Sequence, residues 1–560
     1  MICSTVPKGN AGMTSAFSPV AACKTAQRAA EIFARRLRER NIGVLPKGFR
    51  VVFDIICGLN ADEFTIAGNG DGVLITSGGL LGLIHAAGFF LRGTAFFENT
   101  AEPCRWRGTQ KPKCPVRGVY FASHFHNFYH AAPIDEIGRY IEDLALWGFN
   151  YIKAIFPMID IISEDDPERE AQISRLNQIF GIVHSLGMKA ATTLVVNSGY
   201  IQFPREYRFT PHRDPTGRRG NSGNMMCPSI PGANKLIMRY NRDLLEGLRA
   251  NMPDMVITWP YDEGGCACKR CYPWGGNGFI RISKQLFRLA RVVNPDVVRC
   301  VSTWCFDTPY EGEWVALAAS LEEEKWCDCI LADAHEDFPR YPLDNPSPGG
   351  LPVINFPEIS MWGLSPWGGW GATALPERYT RLWGQASRIL AGGFAYSEGI
   401  YEDINKAVVS QLYWHGEADW RETLRQYARY ELGLGDTAGF IELINLFETT
   451  QSTVAEQGYC DTAFSDRAFD IARELDAALP SWAQKAWRWR IVYLRALLDA
   501  RRYRLAAEKY KKDWKRADWK KLLKDDVMVQ EAFREMIGLF HCMEKDAGDP
   551  YHGRVRPLCI

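Results

Sequence analysis

The period of the apolar positions divides the chain into three stretches. In the first, Ala29 to Arg40 repeats apolar residues at helical spacing and Val51 to Ile56 is a β-branched run. Short strand-like runs follow at Phe64 to Ala67 and Val73 to Thr76, then a glycine-punctuated apolar helix over Gly78 to Arg92. This pattern predicts a small N-terminal α/β domain over 1–115. Its Gly68-Asn-Gly-Asp-Gly72 stretch precedes a strand and does not link strand to helix, so it reads as a turn and not as a phosphate loop.

From Arg117 apolar β-rich runs alternate with longer amphipathic segments. The expected strands are Gly118 to Ala122, Tyr151 to Phe156, Lys189 to Val196, Met255 to Pro260, Val298 to Trp304, Cys327 to Ala332, Val353 to Pro357 and Gly393 to Tyr396. Helices such as Ile134 to Trp147 and Ile280 to Val292 lie between them. Eight such alternations predict an α/β fold, a closed (β/α)8 TIM barrel over 116–406, which typically takes about 250 residues. An open doubly wound sheet is the competing architecture, but no Gly-x-Gly-x-x-Gly follows the first strand. After Ala407 the strand signal ends. Phe440 to Phe447 and Trp487 to Lys511 read as amphipathic helices, and an all-α C-terminal domain is expected over 407–560.

Composition narrows the partner. Lys plus Arg (66) equals Asp plus Glu (66), so no summed field recruits nucleic acid or an acidic membrane. The 18 Trp, 22 Tyr and 29 Phe exceed what a core needs, and flat aromatic faces suit neutral sugar rings. The basic run Lys509-Tyr-Lys-Lys-Asp-Trp-Lys-Arg516 alternates with Asp and Trp as a solvated helix face does. The first residues lack a basic region followed by an apolar run, and no stretch approaches the ~18 apolar residues that span a bilayer, so a cytoplasmic setting is expected. Such a setting would keep the 16 cysteines reduced, and clustered ones then suggest metal.

In a (β/α)8 barrel the carboxyl ends of the strands converge on one mouth, where chemistry collects. Here those ends carry His124, His126 and Asn127, then Lys153, then Asn197, then Tyr261-Asp262-Glu263. The remaining four carry Trp304 and Asp307, Asp333 and His335, Glu358, and Glu398 followed by Glu402 and Asp403. Acetal hydrolysis needs one protonated carboxyl and one ionised one, set apart by their environments. Three pairings are open. Glu263 or Asp262 could act with Glu358 and retain configuration. Glu263 could be the acid while Asp262 orients a substrate acetamido group. Or the strand-four acid could act with Glu398 across a water and invert. His124, His126, Asn127, Lys153, Asn197, Trp304, Asp307, His335, Tyr396 and Glu402 are the candidate sugar-binding residues. Trp362 and Trp367, in a glycine-rich loop without helical period, are candidate subsite walls.

Cys266-Ala-Cys268-Lys-Arg-Cys271 is the sharpest local motif, since three thiolates within six residues can wrap one tetrahedral zinc. The fourth ligand is expected to be Cys227, because the loop after strand three should neighbour the loop after strand four. Such a zinc would be structural and would brace the loop beside Asp262. The chemistry itself needs no cofactor.

The N-terminal run Val73-Leu-Ile-Thr-Ser-Gly-Gly-Leu-Leu-Gly-Leu-Ile-His85 resembles the α/β domain that precedes the barrel in family 20 β-N-acetylhexosaminidases and family 67 α-glucuronidases. Asp262-Glu263 resembles the hexosaminidase dyad, although Trp-Pro-Tyr stands before it in place of His-x-Gly-Gly. The order α/β domain, barrel, helical domain is similar to families 67, 84 and 89, and the cysteine run resembles the zinc cluster of family 42 β-galactosidases. The resemblance implies a glycoside hydrolase. We therefore expect an exo-acting enzyme on a small carbohydrate, with a homo-oligomer formed through the helical domain as a further expectation. The rivals are a non-catalytic carbohydrate-binding protein, a substrate-assisted hexosaminidase-type or inverting α-glucuronidase-type variant, and a metal-dependent lyase or isomerase.

Overall fold

The computed structural model describes residues 20–21, 23–40, 48–97, 100–124, 127–211, 224–261, 264–308, 311–360, 362 and 372–540. Eight parallel strands close a barrel in chain order: Val116–Phe121, Tyr151–Ile155, Lys189–Val195, Met255–Trp259, Val298–Ser302, Cys329–Ala334, Val353–Pro357 and Leu390–Ser397. They are called barrel strands one to eight below. Strands two, four and seven are buried along their whole length, as expected of strands lying between a packed lumen and an outer layer of helices.

Two strands depart from the sequence reading. Strand six lies two residues later than expected, because the Asp328 carboxylate accepts the Arg299 N–H at 2.8 Å and its guanidinium at 2.8 and 3.0 Å, fixing the turn that leads in. Strand eight is longer than Gly393 to Tyr396. Its pairing with strand seven slips between Val353↔Leu390 and Asn355↔Gly393, an extra residue that marks a bulge. Gly392 makes this possible: its φ is +112°, and a Cβ there would lie 1.6 Å from the Val116 carbonyl oxygen of strand one. Closure of the barrel depends on that missing side chain.

Before the barrel a mixed sheet runs in the order Val20–Ala21, Val51–Ile55, Gly72–Ser77, Phe64–Asn69, Gly108–Gln110. Gly70 and Asp71 form the tip of the hairpin between Phe64–Asn69 and Gly72–Ser77, the turn read from the sequence. The helices Lys24–Glu39 and Leu80–Arg92 cover this sheet, and the second docks on the first barrel helix, Ile134–Leu146. At Gly88 a Cβ would sit 1.9 Å from the Leu146 carbonyl oxygen, so the two helices meet backbone to backbone.

The helix after strand eight, Asp403–His415, packs on strands eight and one and completes the barrel's outer layer. A border at 406–407 falls inside this helix, and the chain leaves the barrel at Gly416. Beyond it the described residues form helices only, chiefly Trp420–Leu432, Ala438–Gln457, Thr462–Ala478, Trp487–Tyr510 and Val527–Phe540. No described helix is long and apolar enough to cross a membrane. Arg488 locks the parts together: it contacts Asp143 of the first barrel helix at 2.8 Å, Asp403 at 2.9 Å and Glu431 at 3.6 Å.

Candidate active site

Strand seven delivers Glu358 and strand eight delivers Glu398, side by side at the mouth. Glu358 forms a parallel bridge with Tyr396, and its carboxylate turns back on its own loop. One oxygen accepts the Ser360 N–H and the other accepts the Trp362 N–H at 3.0 Å. This carboxyl is 1% exposed. Ser360 also joins the two sites, because its hydroxyl accepts the Glu398 N–H at 3.0 Å.

Glu398 sits in the opposite environment. It is 2% exposed, and burial pushes its carboxyl well above the ordinary carboxylate range. The Tyr396 hydroxyl, which donates to its Oε1, works against this rise, while the nearby Glu402 and Glu358 carboxylates add to it. Adjacent strand ends thus present a carboxyl that accepts two backbone N–H groups beside one whose protonated form burial favours.

Aromatic rings fill the layer beneath. Trp304 stacks on Trp259 with centroids 5.6 Å apart, and Phe356 lies edge-on to both at 5.6 and 5.1 Å. Tyr396 packs against Phe356 at 5.7 Å and Tyr120 at 5.2 Å. The Trp304 indole N–H is buried without an acceptor among the described residues. The half-buried His335 stands edge-on to Trp304 at 5.2 Å, and the half-buried His124 stacks on Tyr120 at 6.1 Å. These two histidines, Trp304 and Tyr396 remain at the mouth as the sequence suggested.

Other expected binding residues are committed elsewhere. Lys153 is fully buried, its Nζ 3.7 Å from the Tyr120 ring centroid, 4.5 Å from Trp259 and 5.2 Å from Phe356, with no hydrogen-bond acceptor among the described residues. Burial drives its pKa well below the usual lysine value, so it is a sealed amine and not a ligand for a sugar hydroxyl. Asn127 caps the helix Phe128–Ala131 through the Tyr129 N–H at 3.0 Å and donates to the Ala122 carbonyl at 2.9 Å. Asp307 and Glu313 accept each other's backbone N–H at 2.7 and 3.1 Å. Glu402 is fully buried, and its Oε1 collects the Ser397 hydroxyl at 2.5 Å and the N–H groups of Glu398 and Gly399 at 2.7 and 2.9 Å. Asn197 donates to the carbonyls of Met226 and Gly265 at 2.9 and 2.8 Å and accepts the Gly265 N–H at 3.1 Å. All four spend these bonds on the loops around the mouth. Trp362 is half-buried under the Arg378 guanidinium, 4.0 Å from its ring centroid, and its carbonyl accepts from Gln451 at 2.6 Å.

Asp262, Glu263, His126 and Trp367 lie outside the described residues. The chain on either side of Asp262-Glu263 is pinned. Tyr261 is fully buried with its hydroxyl on Glu313, Trp274 donates to the Pro260 carbonyl at 2.6 Å, and Gly265 is held by Asn197. Tyr120, Phe356 and Ser360 had no place in the sequence reading of the site. Alternation along strands one and seven could have flagged the first two, but nothing in the sequence ties Ser360 to Glu398.

The cysteines come together. The Sγ atoms of Cys227, Cys266, Cys268 and Cys271 all lie within 4.8 Å of one another.

No protein-family model matches the sequence, and no curated protein matches it. Solved structures do match in fold. A family 89 glycoside hydrolase from Clostridium perfringens, in complex with its substrate GlcNAc-alpha-1,4-galactose, superposes with a TM-score of 0.62 at 12% identity, over 90% of this chain and 64% of that one. A family 115 4-O-methyl-α-glucuronidase with specificity for decorated arabinogalactans gives 0.60 at 11% identity, over 97% and 80%. A family 20 exo-β-N-acetylglucosaminidase from Vibrio harveyi gives 0.53 at 12%, over 74% and 73%. The chain thus spans just under two thirds of the family 89 enzyme, and its fold is that of the TIM-barrel glycoside hydrolases.

Proposed function

We propose that the protein is an exo-acting glycoside hydrolase that removes a terminal sugar from an oligosaccharide or glycoside with retention of configuration. The observation that carries this reading is Glu358, a buried carboxyl at the end of strand seven fixed by two amide N–H groups above an aromatic floor, beside Glu398, whose carboxyl burial pushes toward its protonated form. In this reading Glu358 faces the anomeric carbon as nucleophile, and the acid comes from Asp262-Glu263, whose flanks are anchored at the end of strand four. Glu398 keeps its proton, so that two anions do not compete beside the developing oxocarbenium centre. Trp304, whose N–H meets no acceptor among the described residues, and the two mouth histidines supply donors for hydroxyls. The similar structures include one named as an exo-β-N-acetylglucosaminidase, which supports a pocket for one sugar unit. A proton donor and a carboxylate suffice for the step, so no cofactor is needed. The free thiols, among them the buried Cys300 and Cys329, suit a reducing, cytoplasmic setting.

The test is a panel of α- and β-nitrophenyl glycosides with wild type, Glu358→Gln, Glu263→Gln and Asp262→Asn, each checked for fold by circular dichroism. Glu358→Gln should lose at least about 100-fold in rate. An acid variant should keep activity on nitrophenyl leaving groups and lose it on unactivated sugars. Equal rates for all variants would remove the site assignment, and no release by wild type from any glycoside would remove the hydrolase reading.

A further inference from the structure

Four thiols converge between the loops that follow barrel strands three and four. Cys227 comes from the first loop, and Cys266, Cys268 and Cys271 come from the second. The Cys227 and Cys268 sulfurs are 3.6 Å apart. Four thiolates around a tetrahedral zinc at about 2.3 Å would be separated by about 3.8 Å, the edge of that tetrahedron, so the cluster has the right span with little movement. A disulfide would need its two sulfurs at about 2.05 Å and would leave the other two cysteines unused.

The surroundings suit an anionic metal–thiolate centre. Zinc with four thiolates carries a net charge of about −2. The Thr210 N–H donates to the Cys266 sulfur at 3.4 Å, and the Ser229 hydroxyl lies 3.1 Å from the Cys271 sulfur. Arg281, on the helix Phe279–Val293, places Nη2 at 2.7 Å from that hydroxyl and 3.6 Å from the same sulfur. The backbone is braced as well. The Cys227 N–H bonds the Tyr207 carbonyl and the Ala267 N–H bonds the Thr210 carbonyl, each at 2.8 Å, and the Cys268 carbonyl accepts from Cys271 at 2.9 Å and Tyr272 at 3.0 Å. Three of the four cysteines are buried and Cys268 is half-buried, which leaves one side for the ion to enter.

We infer that Cys227, Cys266, Cys268 and Cys271 bind one structural Zn2+ that ties the strand-three loop to the strand-four loop. Binding releases the thiol protons as four Zn–S bonds form. All four positions are filled by protein, so the ion has no open site and takes no part in bond cleavage. Its effect is on the chain: Cys266 stands three residues beyond Glu263, and the metal fixes the far end of that segment as Asn197 fixes Gly265. The inference stands on the cysteine geometry alone and does not depend on the proposed hydrolase activity.

The experiment uses the full-length protein purified under reducing conditions without chelator. Mass-spectrometric metal analysis should find one zinc per chain in wild type and in the exposed-thiol control Cys57→Ser, and well under half in Cys268→Ser and Cys227→Ser. If those variants fail to fold, two measurements on wild type carry the test. Cobalt substituted for zinc should give the thiolate charge-transfer and tetrahedral d–d bands of a four-sulfur site, and bound metal should protect four cysteines from alkylation. Absence of zinc from wild type together with no such cobalt spectrum would overturn the inference. Full zinc retention in the cysteine variants, or recovery of a Cys227–Cys268 disulfide peptide, would do the same.

Discussion

Arg488 offers a sharp test of how the parts of this chain hold together. It is 8% exposed and reaches Asp143, Asp403 and Glu431 at 2.8, 2.9 and 3.6 Å. Arg488→Met keeps most of the volume and removes the charge. The three carboxylates are not left bare: Asp143 keeps Arg36 at 2.6 Å, and Asp403 keeps the Tyr140 and Tyr427 hydroxyls at 2.9 and 2.8 Å. Glu431 keeps Arg40 at 3.3 Å and the Trp147 indole N–H at 2.9 Å. The loss is therefore that of one broken buried pair, about 3–5 kcal/mol, and not three times that. With an unfolding entropy of about 2.1 cal/mol/K per residue over a cooperative unit of roughly 500 residues, the melting temperature should fall by about 3–5 °C. Calorimetry at neutral pH measures this, and Arg488→Met with Asp403→Asn should recover part of the loss. Burial pushes the Asp143 carboxyl up, but Arg36 and Arg488 outweigh it and hold its pKa below the ordinary value. Its contribution is thus present above the unfolded pKa of about 3.9 and disappears as pH falls through the lower folded value, so the gap between wild type and variant should narrow in acid. A variant that melts within about 1 °C of wild type at neutral pH would show that Arg488 does not hold these parts together.

Glu398→Gln tests the neutral carboxyl. A raised folded pKa means that wild-type stability declines as pH rises above the unfolded value of about 4.3, so the variant should match wild type at pH 5 and melt higher at pH 8, and equal melting at both would contradict it. Lys153→Met tests the sealed amine. Because its folded pKa is lowered, the unfolded chain binds the extra proton and wild-type stability rises with pH, so the variant's advantage should be largest in acid and fade toward about pH 10; a destabilised variant at pH 6 would contradict this. Asn197→Ala removes two hydrogen bonds to Gly265 of the strand-four loop and one to Met226 of its own loop, worth about 1 kcal/mol each. Hydrogen exchange should quicken at the Gly265 amide, and unchanged protection there would show that Asn197 is not the anchor.

The barrel was legible because strands two, four and seven are apolar runs buried on both sides, a signal that survives without knowledge of packing. Strand eight was shortened because Leu390-Ala-Gly-Gly reads as a loop, whereas closure against Val116 needs a residue without a Cβ at 392. At the mouth, chain order says which side chains follow a strand and not which way they turn. Asn127, Asn197, Asp307 and Glu402 are polar residues at strand ends, as binding residues would be, and each spends hydrogen bonds on the chain around the mouth: Asn197 on the neighbouring strand-four loop, the others on their own. Lys153 looked the same in sequence and is caged by Tyr120, Trp259 and Phe356, which lie on three other strands. The meeting of Cys227 with Cys266, Cys268 and Cys271 was legible for the opposite reason: in a closed parallel barrel the loops after consecutive strands are neighbours.

The most direct test follows the anomeric protons by NMR while wild type acts on terminal α- and β-glycosides, with Glu358→Gln run beside it. Wild type should release a first-formed free sugar with the substrate's own configuration, and the folded variant should release none. No free sugar from any glycoside, or the same sugar released at the same rate by Glu358→Gln, would contradict this.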